Sequence, residues 1–248
     1  MAAGTPGNVC LAAFYGPKPQ PLARYIREMQ RVAADALGTA FVPYEMEQAH
    51  ATLIGLEGRR EADGGIASRN FAKILGEHRH LDLAALIRLT EEAFETPLVI
   101  TFGGYHRDED YGFFSRGEHP HDRSFVIQPG RVVIMGWESR KVEDSQRLGH
   151  IRADLSAAYA LHRYHDGPRP TALDDDLYMV IGTLTAATES EIAAAVAAGR
   201  DRAQQNPLTC EIGLPQLSIV NYVETTLSPA TSTAYPLPIK ATDLERLY

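Results

Sequence analysis

The chain has 248 residues, 44% of them hydrophobic and 23% charged, with a formal charge of -8. That length buries a substantial core as one large domain or two lobes, and no apolar run approaches the ~20 residues that span a bilayer. The acidic balance argues against a broad phosphate-backbone footprint, which needs clustered Lys and Arg, and leaves a small or terminal phosphate as the acceptable anionic ligand. Cys10 and Cys210 lie in separate apolar stretches and read as buried free thiols, not as a zinc site or a disulfide framework. The opening residues carry no basic leader and their short apolar run reads as a first strand, so the expected location is the cytoplasm, away from any membrane.

Asn8 to Tyr15 reads as a buried strand ended by Gly16-Pro17. From Pro21 to Leu37, Leu22, Tyr25, Ile26, Met29, Val32, Ala33 and Ala36 recur at helical spacing, with Pro21 in the first turn where its missing N–H costs nothing. A short strand near Phe41 to Met46 and the strand from His50 come next. Residues 57–70, charged and glycine-bearing, read as an exposed loop, and Leu81 to Phe94 as a helix. Pro97 to Tyr105 is a β-branched and aromatic strand broken by Gly103-Gly104. A polar, turn-rich stretch precedes two strands within 124–137, joined by the tight turn Pro129-Gly130. A long helix is expected from Val142 to Tyr164, with Leu148, Ile151, Leu155 and Leu161 on one side, followed by a loop. Leu177 to Leu184 is a strand, and Thr188 with Glu191 forms a capping box for the helix after it. Two more strands lie within 207–223, and the Pro/Thr/Ser-rich tail from Thr225 has no clear pattern. Each half reads as strands, a helix and further strands, so the chain looks like a duplicated α+β unit.

The chemistry concentrates in His50-Ala51-Thr52-Leu53-Ile54-Gly55-Leu56. On a strand His50 and Thr52 share one face, and Leu53 turns to the other. An imidazole that titrates near neutrality beside a hydroxyl that bonds a phosphoryl oxygen suits acid/base work on a phosphate ester without a metal. Histidine two residues before threonine also arises often by chance, so the pair needs support from its surroundings.

With this box, the order of elements resembles the 2H phosphoesterase superfamily, the two-histidine enzymes that include 2′-5′ RNA ligase-like proteins and 2′,3′-cyclic phosphodiesterases. The resemblance runs from the first strand and helix, through the His50 box, the hairpin and the long helix, to the strand at 217–222. It implies a duplicated fold of two pseudo-symmetric α+β lobes in one domain over residues 1–248, with antiparallel sheets facing a central cleft and helices outside. Each lobe of such a protein contributes one His-x-Thr/Ser box. Here the second box is degraded: Tyr178 stands where the histidine belongs, Val180 where the hydroxyl belongs, and Thr183 where many relatives carry arginine. The family's reaction divides proton traffic between two imidazoles, and a positioned acid or base contributes ~100- to 10,000-fold. A phenol with an unperturbed pKa of about 10 is a poor base at neutral pH.

Other candidates have bland alternatives. His106, His119 and His121 lie in the polar stretch before the hairpin, where a loop histidine is ordinarily solvated. His162 and His165 fall at the expected C-terminus of the long helix, where the dipole favours a cation. His78 and His80 read as a polar turn with no accompanying carboxylate pattern for a metal. Arg123 and Arg131 flank the hairpin and are explained equally by phosphate contact or by exposure. Asp174, Asp175 and Asp176 read as a solvated loop, because neighbours on an extended chain point apart. Phe14, Tyr15 and Tyr222 are strand aromatics placed to stack on a base at the cleft or to pack in the core.

The resulting expectation is a diverged phosphodiesterase-like protein that binds or hydrolyses a nucleotide or RNA-terminal phosphodiester, either a 2′,3′-cyclic phosphate or a 2′-5′ linkage. His50 is its acid/base, Thr52 a phosphate ligand, Tyr178 a substitute donor or stacking group, and Phe14, Tyr15 and Tyr222 the substrate-binding aromatics. No metal or cofactor is called for. The alternative is a catalytically inactive nucleotide-sensing or protein-interaction module, and a third reading takes the second catalytic group from the loop at His119 and His121.

Overall fold

A computed structural model describes residues 7–128, 130–138, 146–162 and 175–248. In chain order, β1 (Val9–Ala13) leads to α1 (Gln20–Leu37), β2 (Phe41–Pro43) and β3 (His50–Gly55). A small hairpin of β4 (Gly58–Arg60) and β5 (Ile66–Ser68) precedes α2 (Arg69–Leu75) and α3 (Leu83–Ala93). Then come β6 (Leu98–Phe102), α4 (Pro120–Ser124), β7 (Phe125–Gln128), β8 (Arg131–Glu138) and α5 (Arg147–Leu155). The rest is β9 (Leu177–Leu184), α6 (Glu189–Gln205), β10 (Leu208–Ile212), β11 (Leu217–Tyr222), β12 (Ser232–Pro236) and α7 (Ala241–Glu245).

The architecture is mixed α+β. Its main sheet runs β10-β6-β8-β9-β3-β1-β11-β12, with β2 beside β9 and β7 beside β8, and β4 and β5 pair separately. Every one of these strand pairings is antiparallel. At the middle of the sheet, β3 and β9 are joined only at His50↔Val180 and Ala51↔Met179.

Alternation along the strands sorts the side chains to two faces. Val9, Leu11 and Ala13 of β1, Ala51 and Leu53 of β3, Val132 and Ile134 of β8, and Leu177, Met179 and Ile181 of β9 enter the main core with the helices. The opposite face carries Cys10, Ala12, Val220 and Tyr222 on one side of the β3–β9 joint and Val133, Met135 and Trp137 on the other. Helix α1 packs on the first face through Leu22, Tyr25, Ile26, Met29 and Ala33, all buried. Each such large apolar side chain contributes roughly 1.5–3 kcal/mol on burial. α6 lies beside α1 and is linked to it by an Arg202–Glu28 ion pair. It presents small residues inward, Ala195, Gly199 and Ala203; a Cβ on Gly199 would fall 2.4 Å from the Phe125 ring, so glycine permits this close approach.

Several expected elements are present with shifted ends. The helix from Pro21 begins at Gln20, the strand at 177–184 is intact, and Thr188 and Glu191 form the reciprocal capping box. The hairpin pairs Gln128 with Arg131, and Gly130 takes φ 76° in its turn. Pro129 lies outside the described residues.

Other expectations are corrected. The loop read at 57–70 contains the β4–β5 hairpin and the start of α2, which Ser68 caps by accepting the Phe71 N–H. The long helix is α5, nine residues, continued by one 3-10 turn at Ser156–Ala158 that Tyr159 ends with φ 58°. Residues 142–145, Tyr164 and His165 fall outside the described residues. Leu161 is buried but lies beyond the helix. The tail supplies β12 and α7. Among the described residues, no helix is long and apolar enough to cross a membrane.

The acidic triplet is the largest correction. Asp176 is buried and accepts hydrogen bonds from Ser115 Oγ at 2.5 Å, Trp137 Nε1 at 2.7 Å and Arg123 at 2.6 Å. A buried carboxylate persists because cationic and neutral donors replace water around it. Asp175 accepts the Gly149 N–H at 3.0 Å, and Asp174 lies outside the described residues.

Candidate functional site

His50 and Thr52 both turn to the sheet face opposite the helices, because the intervening Ala51 is committed to the core. Together with Tyr178 and Val180 of β9, Tyr44, Arg131, His162 and Thr225, they line a cavity of about 30 Å³. The site therefore sits at the β3–β9 joint, where strands from the two halves of the sheet meet.

The His50 imidazole is buried, and its Nδ1 lies 2.6 Å from the Gln48 carbonyl oxygen. A carbonyl only accepts, so Nδ1 carries a proton and donates it there. Gln48 is itself anchored by donating from Nε2 to the Thr226 carbonyl at 2.9 Å. The Tyr15 ring meets His50 edge-on, with centroids 5.8 Å apart, and burial raises the Tyr15 phenol above its ordinary range. Tyr178 donates from its hydroxyl to Gln128 Oε1 at 2.9 Å, so the hairpin strand β7 orients the phenol.

Beneath the joint, the buried Arg152 of α5 donates to the carbonyls of Leu53 at 2.9 Å, Thr52 at 3.3 Å and Asp176 at 3.2 Å. The first two belong to β3 and the third immediately precedes β9, at the place where the β3–β9 pairing stops after Ala51. The guanidinium satisfies them there and fixes the backbone that carries Thr52.

The structure brings together His50, Thr52 and Tyr178 and separates the three aromatics. Phe14 is buried in the main core on the helix side. Alternation from Ala12 would place it on the site face, but its φ of 61° turns the chain and returns the ring to the core. Tyr15 touches the site through its contact with His50. Tyr222 is buried, donates to Glu57 Oε1 at 2.6 Å, and lines a neighbouring cavity of about 690 Å³. That larger cavity includes Asn8, Arg59, Arg69, Asn70 and Lys73, and shares Thr225 with the first.

Two site residues have bland readings in the sequence. His162 is buried and lines the His50 cavity, beyond the end of α5 and not on the helix terminus. No local pattern signals this, since it depends on where the chain travels after Tyr159. Arg131 is legible in part: the odd residues of β8 share the face of Tyr178 and Val180, and the register pairs Arg131 with Thr183. Arg123, by contrast, is buried in its ion pair with Asp176 and serves the core.

The histidines of 106–121 are engaged elsewhere. His106 Nδ1 accepts from Gln204 Nε2 at 2.9 Å, His119 Nε2 donates to the Glu109 carbonyl at 2.9 Å, and His121 Nδ1 lies 3.2 Å from Asp122. None of them lines the His50 cavity. The stretch that holds them covers β8 through Tyr105, whose ring stands perpendicular to Trp137 at 5.1 Å, and through Tyr111 and Phe113.

No protein-family model matches the sequence, and no curated protein matches it. Among solved structures, the chain is similar to the crystal structure of TT0787 of Thermus thermophilus, with 14% identity and a TM-score of 0.45 over 93% of this chain and 94% of that one.

Proposed function

We propose that this protein is a diverged, two-lobed 2H-type phosphodiesterase that acts on a nucleotide or RNA-terminal phosphodiester, a 2′,3′-cyclic phosphate or a 2′-5′ linkage. The observation that carries the reading is the convergence of His50, Thr52, His162 and Arg131 on one cavity at the β3–β9 joint. The division of the main sheet at that joint into β3-β1-β11-β12 and β9-β8-β6-β10 supports the two-lobed reading.

In this reading neutral His50 takes a proton from the attacking oxygen at Nε2, and the phosphorus–leaving-oxygen bond breaks as protonated His162 donates to the departing oxygen. Thr52 hydrogen-bonds a non-bridging oxygen. Arg131, opposite Thr183, supplies the cation that the substitution at 183 removes. Tyr178, hydrogen-bonded to Gln128, borders the phosphate and does not shuttle protons. The small cavity has the scale of a few water molecules, so the phosphoryl group enters only as side chains shift. The 690 Å³ cavity lies within the ~300–1,000 Å³ of ligand pockets and takes the remainder of the substrate.

The test is turnover of 2′,3′-cyclic nucleotides and 2′-5′-linked dinucleotides by wild type, His50→Ala and His162→Ala. Each variant is expected to lose ~100- to 10,000-fold. Turnover that survives His50→Ala removes His50 from the mechanism. The tightness of the 30 Å³ cavity favours a second reading, an inactive nucleotide-sensing module. Calorimetry with the same compounds separates the two, because a sensor binds them without turnover.

A further inference from the structure

Outside the His50 site, one cluster of side chains has the composition and spacing of a metal centre. Glu61 Oε2, just beyond β4, lies 3.1 Å from His78 Nε2 and 3.0 Å from His80 Nε2. The ligand atoms of Glu61, His78 and His80 all fall within 4.8 Å of one another. Asp63 Oδ2 lies 4.0 Å from His80 Nε2, and the other Asp63 oxygen is held by the Gly65 N–H at 2.9 Å. We propose that Glu61, His78 and His80 bind a zinc ion, with Asp63 as the fourth ligand, and that this ion clamps the β4–β5 hairpin to the 76–80 segment.

Geometry supports the assignment. Ligands at ~2.0–2.1 Å around a tetrahedral ion stand about 3.3 Å from each other, and the Glu61–imidazole separations of 3.0 and 3.1 Å approach that edge. The donor set selects the ion: two imidazoles and carboxylate oxygens suit zinc, whereas calcium and magnesium require oxygen throughout. The local sequence makes room for it. A Cβ on Gly65 would fall 2.5 Å from His80 Nδ1 and Cε1, so glycine at the hairpin lets the imidazole seat against the turn. His78 and His80, with one residue between them, reach the same carboxylate with their rings 5.3 Å apart and inclined at 68°. The competing account is a carboxylate that merely accepts from two imidazoles, with Arg59 3.6 Å from Glu61 Oε1 adding charge. The carboxylate absent from the local sequence pattern is supplied from 17 and 19 residues upstream of the two histidines. His78 also lines the 690 Å³ cavity, so the ion would fix part of that wall.

The test uses the full chain without a polyhistidine tag, stripped with chelator, dialysed, and titrated with zinc by calorimetry and thermal denaturation. One equivalent should bind and raise Tm in a concentration-dependent way, and cobalt substituted for zinc should give the strong visible absorption of a tetrahedral centre. His78→Ala and Glu61→Gln should each weaken binding at least about tenfold, and His106→Ala should leave it unchanged. His78 is exposed, so its variant tests the ligand without disturbing the core; the far-UV spectrum checks folding, and His78→Asn repeats the test if His78→Ala unfolds. Absence of zinc binding by wild type, or equal binding by wild type, His78→Ala and Glu61→Gln, overturns the proposal.

Discussion

The Arg123 guanidinium and the Asp176 carboxylate meet at 2.6 Å with both side chains withdrawn from solvent. This contact ties α4 to the start of β9, two residues before Tyr178, so the polar core of one half of the sheet also sets the site's second strand. Removing one partner of a buried pair typically costs ~3–5 kcal/mol, and Arg116, whose Nε lies 3.7 Å from Asp176 Oδ2, offsets part of that here. Arg123→Ala should therefore lower the unfolding free energy by about 3 kcal/mol, read from denaturant titration. Arg107→Ala breaks an exposed pair with Asp122 and should cost only ~0–1 kcal/mol. Equal losses in the two variants would show that the Arg123 network contributes no more than a surface ion pair.

Glu138, at the end of β8, is buried and has its carboxyl pushed up to about 7, chiefly by desolvation, although the Leu148 N–H donates to it at 3.1 Å. The unfolded chain releases this proton near 4.5, so between that pH and about 7 the folded state holds more protons. Stability from this group is thus full below the unfolded value and is lost as pH rises through the folded one. Tm should decline from pH 5 to pH 8, by ~2–4 °C for each kcal/mol involved. Glu138→Gln keeps the acceptor for Leu148 and removes the charge. A slope that persists in Glu138→Gln would assign the decline to other groups.

Arg152 serves three backbone carbonyls around the β3–β9 joint with one side chain. Arg152→Met preserves much of the stem and removes every donor, leaving buried acceptors that each cost ~1–3 kcal/mol. A loss of about 3 kcal/mol is expected, with Arg152→Lys intermediate because a single ammonium cannot reproduce the planar fork. If the residue positions Thr52, phosphate-ester turnover should also fall in Arg152→Lys under conditions where that variant stays folded. Unchanged turnover would confine Arg152 to stability.

Local alternation makes β3 legible, since His50 and Thr52 against Ala51 and Leu53 needs no knowledge of the fold. The same holds for α1, whose apolar stripe is long, and for the Thr188–Glu191 cap, where two residue types at fixed spacing satisfy a helix end. Long-range geometry is not legible. His162 reaches the cavity only after the chain leaves α5, and Phe14 leaves the site face through a single positive φ that no sequence pattern announces. Asp176 looks solvated in the sequence because its buried donors come from 115, 123 and 137, three separate elements. The β4–β5 hairpin is hidden because three-residue strands are too short to show alternation, and the Gly-Arg-Arg of β4 reads as loop even though β5 is buried throughout.

On the proposed reading, the joint also allows a second box to be built. The register places Val180 opposite His50, and Tyr178 lies in the same cavity wall. Tyr178→His with Val180→Thr would put an imidazole and a hydroxyl where the proposed two-histidine reading expects them, at the cost of the Tyr178–Gln128 hydrogen bond. Tyr178 is only half-buried, so the exchange should be tolerated in the fold. With His162 serving as the second acid/base, the double variant should gain little over wild type, but in the His162→Ala background it should restore about 100-fold or more of the lost hydrolysis of 2′,3′-cyclic nucleotides. That recovery should depend on His50, disappearing when His50→Ala is added. A folded variant that recovers no turnover in the His162→Ala background would show that the β9 positions do not face the reacting phosphate, and a wild type that binds the same compounds without turning them over would favour the sensor reading.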